Sequence, residues 1–168
     1  MTTRAFSRWV AVAVCAGTFA ASVQAPVGAA DGNKACGLLT PSELGSVLGT
    51  KVTLMPSAAV GLCIGLTPKG MISLTIRETK TGAEAEAGHA AAVTQAKQRG
   101  IKMDVKKFGP ITCTNVSPMQ NVKAPFLTWC SVVKGTQTAV VEVSANSQQD
   151  MVSIERLRPL AEKMHSRF

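Results

Sequence analysis

Apolar residues recur along the chain with two different periods, and the changes of period mark its elements. Leu44, Val47 and Leu48 fall at helical spacing behind Leu39. Thr40 and Glu43 form a capping box, Pro41 occupies the first helical position, Leu39 and Leu44 are placed as a hydrophobic staple, and Gly49 ends the run. This predicts a short helix over 41–48. The period then shortens. Residues 52–55 and 62–66 are apolar runs bounded by Gly and Pro, and Met71 to Arg77 alternates strictly. Ile72, Leu74 and Ile76 take one face there and Ser73, Thr75 and Arg77 the other, with Pro68-Lys69-Gly70 as the turn before them.

Helical composition returns after Thr81, which with Glu84 makes a second capping box. The segment runs through Ala85, Ala87 and Ala90–Val93 to Arg99, and Gly100 stops it. Its alanines favour the helix but bury little, so it is expected to lie close against a sheet. Alternation resumes at Ile101, Met103 and Val105. Strands are expected over 111–116, 126–133 and 137–144, with Lys134-Gly135-Thr136 turning the last pair. Ile154, Leu157, Leu160, Ala161 and Met164 give a terminal helix, which Pro159 should either kink or delay to a start near Arg158. These elements predict an α+β fold, an antiparallel sheet with helices packed against it. Two loosely similar halves repeat a cysteine, a Lys-Gly turn, an alternating strand and a helix.

The first thirty residues stand apart. Arg4 and Arg8 precede an apolar run from Trp9 to Ala21, and Gly28-Ala29-Ala30 precedes Asp31. This is the layout of a secretory signal cut after Ala30, and the run is too short for the ~20 residues of a membrane span. Val14 is a poor residue before Cys15, which argues against lipidation there. Residues 31–168 form the expected single α+β domain, exported to the periplasm or secreted, with no transmembrane segment. The domain retains Cys36, Cys63, Cys113 and Cys130, an even number that implies disulfides in one of three connectivities. The half-repeat favours Cys36–Cys63 and Cys113–Cys130, each tying the cysteine before a Lys-Gly turn to an upstream segment. With no C-x-x-C and both histidines distant in sequence, no metal site is expected.

The stretch from Cys36 to Glu43 and Leu44, ending Val47-Leu48-Gly49, resembles the opening of a family of small exported bacterial domains of unknown function. Many of its members are actinobacterial lipoproteins. A second cysteine follows at a distance that Cys63 matches. The resemblance implies an α+β domain and carries no functional residues.

The net charge of +8 changes the picture modestly. Lys97, Arg99, Lys102, Lys106 and Lys107, offset by Asp104, form the densest basic segment and are a candidate contact to an anionic surface. Nucleic acid is disfavoured by export, by the absence of Tyr and by the lack of a recognition motif. Gly61-Leu62-Cys63-Ile64-Gly65 imitates a nucleophile elbow, but a strand follows where a helix is required. His89 and His165 have no partner in any motif. Trp129, beside Cys130, is expected to pack over the disulfide. No catalytic residue and no cofactor are expected. The sequence thus points to a non-enzymatic exported domain that binds an envelope or secreted partner. An inhibitor of a hydrolase, or an enzyme with an unrecognised site, is the alternative.

Overall fold

The computed structural model describes residues 33–79, 82–118 and 125–168. Helix α1 (Pro41–Leu48) is followed by strands β1 (Thr53–Pro56), β2 (Leu62–Thr67) and β3 (Gly70–Glu78), then helix α2 (Gly82–Gln98). Strands β4 (Ile101–Phe108), β5 (Ile111–Pro118), β6 (Phe126–Lys134) and β7 (Gln137–Ala145) come next, then a 3₁₀ turn and helix α3 (Ile154–Arg167). All strands join one antiparallel sheet in the order β1-β2-β3-β7-β6-β5-β4. Each half supplies its own meander, and the two meet where β3 pairs with β7. The helices that follow these strands, α2 and α3, lie on opposite faces of the sheet.

Both expected disulfides are present, Cys36–Cys63 and Cys113–Cys130. The second joins residues that face each other across β5 and β6. The first ties the turn before α1 to β2. Both lie on the face covered by α3, where Ile154, Leu157, Leu160, Ala161 and Met164 are buried with Ile72, Leu74, Val132, Ala139 and Val141. The expected stripe on α3 is therefore the core-forming one. Thr128 is also buried there, and its hydroxyl donates to the Val152 carbonyl, fixing the entry to α3. Asn115 Oδ1 also lies 2.7 Å from this hydroxyl as an acceptor, so the single Thr128 proton is shared between the two oxygens.

Pro159 neither ends α3 nor delays it. Ser153 caps the helix five residues before Arg158, and buried Ile154 and Leu157 anchor its first turn. Pro159 lies on the exposed side, where water can take the Glu155 carbonyl that its missing N–H leaves free. The cap expected at Thr81 lies outside the described residues. Among the described residues no helix is long and apolar enough to cross a membrane.

Helix α1 has the expected box, with Thr40 Oγ1 accepting from Glu43 N at 3.2 Å and Glu43 Oε2 accepting from Thr40 N at 2.9 Å. Gly49, in the left-handed region at φ 69°, closes it. The Glu43 carboxylate also receives both Arg167 guanidinium nitrogens, at 2.7 and 2.8 Å, and Lys163 at 3.3 Å. The Arg167 fork and the Thr40 amide hold its carboxyl far below the usual carboxylate range. A depressed folded value stabilises the protein above the carboxyl's ordinary titration range, and that stabilisation is lost as pH falls toward the folded value. Glu43→Gln is therefore expected to lower the thermal midpoint at pH 7. The gap from wild type should shrink steadily on acidification, read by melts across pH 7 to 2.

Candidate functional site

The face of the sheet opposite α3 is covered incompletely, and the composition of α2 explains why. Gly82-Ala83-Glu84 and Glu86-Ala87-Gly88 offer no large apolar side chain, and only His89, Val93 and Ala96 are half-buried among the described side chains of the helix. The helix leads from β3 to the edge strand β4 and touches the sheet sparsely, through His89 at Trp129 and Glu86 at Lys107. The alanine-rich helix does lie against the sheet, as expected, but it does not close over it. With so little to bury, nothing draws α2 down into close packing on the middle strands. A groove with a cavity volume of about 980 Å³ remains between them. That is at the upper end of ligand-site volumes.

Register fixes the floor of this groove. One row across the sheet runs Thr75, Val140, Ser131, Thr112 and Lys107, and the next runs Ser73, Glu142, Trp129, Thr114 and Val105. Arg77, Thr138 and Val133 line one end, Leu127 the other, and Glu84, Glu86 and His89 line the α2 side. Lys107 bridges floor and wall by donating to Glu86 Oε1 at 3.1 Å. The same sheet face continues past β3 to Leu66 and Met71, which are exposed.

Three features give the groove chemistry. The imidazole of His89 meets the indole of Trp129 edge-on, with ring centroids 6.5 Å apart. Burial, aided by the positive charge of Lys107, pushes the His89 pKa down, favouring the neutral ring, and its Nε2 is buried with no partner among the described residues. Glu142 is half-buried beside Trp129, and burial pushes its carboxyl up. Finally, Ser73, Thr75, Arg77 and Glu142 make no side-chain hydrogen bond or ion pair among the described residues, so their polar atoms are available to a ligand.

The sequence-derived candidates are distributed differently. Lys97 and Arg99 are exposed at the end of α2. Lys102 and Lys106 fall on the α3 side of β4, where Lys106 pairs with Glu155 at 2.6 Å, while Lys107 points into the groove. Adjacent residues of an extended strand face opposite ways, so the five cations do not share one face. The same rule corrects Trp129. Cys130 faces α3, and its neighbour Trp129 must face the groove rather than the disulfide.

Cys63 is fully buried in its disulfide on a strand-to-strand segment, so the elbow-like motif supplies no nucleophile. Gly61 serves a close backbone approach instead. It adopts φ 73°, its carbonyl accepts from Ile76 N at 2.8 Å, and a Cβ would lie 2.4 Å from the Ile76 oxygen. His165 lies on α3, away from the groove, with its Nδ1 buried and unpartnered among the described residues. In the connection between β5 and β6, residues 119–124 lie outside the described residues. Among the described residues no cluster of three or more His, Cys, Asp or Glu could hold a metal ion.

Set against protein-family models, curated proteins and solved structures, the chain finds no match. The groove is therefore read from its own chemistry. Sequence reasoning had placed Ser73, Thr75 and Arg77 on a wet face and missed Ser131, Thr138 and Glu142. The signal was the alternation of polar residues on three strands, which acquires meaning only when β3, β7 and β6 are known to be neighbours.

Proposed function

We propose that the chain is an exported binding domain of the cell envelope or extracellular space, and that it engages its ligand in the groove between α2 and the sheet. The observation that carries this reading is the open cavity of about 980 Å³, where Ser73, Thr75, Arg77 and Glu142, without side-chain partners among the described residues, surround a single indole. The signal-like residues 1–30 and the resemblance at Cys36–Gly49 support export. Two disulfides and the absence of a membrane-spanning helix among the described residues fit the same compartment. That the basic residues do not share one face supports the groove over an anionic-surface patch.

Filling the groove is the direct test. Ser73→Trp places an indole on the floor at a strand position that tolerates aromatics. The variant should keep the wild-type far-ultraviolet circular dichroism and lose the small-molecule mass that native mass spectrometry finds on wild type from its own host. Identical ligand loads on wild type and variant would place binding elsewhere.

A second reading has one observation in its favour. His89 and Glu142 line one groove, one favouring the neutral base and the other shifted toward the neutral acid, as general acid–base chemistry requires. An enzyme would release altered products from the bound ligand, and Glu142→Gln would bind without releasing them.

A further inference from the structure

We infer that the occupant of the groove is an uncharged oligosaccharide. The inference rests on the groove being the binding site and names the ligand class that its lining fits. Trp129 stands on the floor, and an indole offers the flat apolar surface against which the C–H face of a pyranose ring packs. Around it, Ser73, Thr75 and Glu142 have no side-chain partner among the described residues. Hydroxyl groups both donate and accept, so a polyhydroxylated ligand can satisfy serine, threonine and a carboxyl group together.

The competing chemistries fit less well. Burying an alkyl chain over Ser73, Thr75 and Glu142 would strip water from three polar groups and return no hydrogen bonds. A strongly anionic ligand would meet Glu142 in the floor and Glu84 and Glu86 in the wall. A cationic one would meet Arg77 and Lys107. Lys107 is already paired with Glu86, so the groove presents no uncompensated field of one sign. The floor from β3 through β7 and β6 to β5 spans three strand spacings, about 14 Å, which suits a short chain of sugar rings better than a single monosaccharide.

The sequence supplies the probe. Its two tryptophans are Trp9 and Trp129, so the full chain carrying Trp9→Phe reports from the groove alone. Its fluorescence is titrated with three neutral hexasaccharides (maltohexaose, cellohexaose and N-acetylchitohexaose), with hexagalacturonate as the anionic counterpart and with laurate as the alkyl counterpart. A saturable change with at least one neutral hexasaccharide, and none with the other two probes at equal concentration, is the expected result. Glu142→Ala in the same background should weaken that binding at least tenfold while the thermal midpoint holds. Saturation by laurate or hexagalacturonate with no response to any neutral sugar would overturn the ligand class and leave the groove as the binding site. No response to any probe, together with equal native ligand loads on wild type and Ser73→Trp, would overturn both.

Discussion

Replacing Cys36 and Cys63 together by alanine is expected to lower the unfolding free energy by about 3 kcal/mol, read from urea melts with the slope fitted for each protein. The bridge spans a sequence separation of 27 residues, against 17 for Cys113–Cys130. Chain entropy grows only logarithmically with loop length, so the two losses should differ by no more than about 0.5 kcal/mol. A much larger loss at Cys113–Cys130 would show that packing, rather than constraint of the unfolded chain, dominates there. Cys63, Cys113 and Cys130 are all fully buried, so the alanines also test how well the core closes around the missing sulfur.

The second large effect separates the two faces of the sheet. Leu157 is fully buried under α3, and Leu157→Ala should cost about 3 kcal/mol or more. Val93 is only half-buried on α2, and Val93→Ala should cost about 1 kcal/mol or less. Chemical denaturation of both variants checks the pair. A comparable loss from each would mean that α2 closes a second core, which would leave little room for a ligand. The same contrast predicts that amides of α2 exchange well before those of α3, because few apolar contacts hold the former in place.

How much of this was legible in the sequence depended on the range of the interaction. The box at Thr40–Glu43 and the stop at Gly49 were readable because every partner lies within one turn. The alternating strand ending at Arg77 and the stripe from Ile154 to Met164 were readable because burial imprints its own period. The disulfide pairing followed from each bridge lying within its own half. The groove was not legible. Glu142 and Ser73 lie 69 positions apart in sequence and become neighbours only through the β3–β7 register. Trp129 was misplaced by attention to its neighbour Cys130, although strand alternation already required them to face opposite ways. Whether the basic segment converges was not legible either, because it depends on which residues of 101–108 are extended, and there Lys106 and Lys107 face opposite ways. Of the two outcomes Pro159 allowed, the delayed start does not occur, because the Ser153 cap and buried Ile154 and Leu157 fix the first turn ahead of it.

The pairing of β3 with β7 also sets the order in which the molecule can assemble. The last strand in sequence lies inside the sheet, between β3 and β6, and supplies the whole seam joining the two meanders. Until residue 145 is free to dock, strands β1–β3 and β4–β6 have no hydrogen-bonded connection, and α3 has no complete surface to cover. Each cysteine pair nevertheless lies on one side of that seam, so both bridges can form beforehand. They would shorten the chain's conformational search before the slow, long-range step that closes the sheet. Refolding from the oxidised state should therefore outpace refolding from the reduced state, with β7 docking as the event the two routes share.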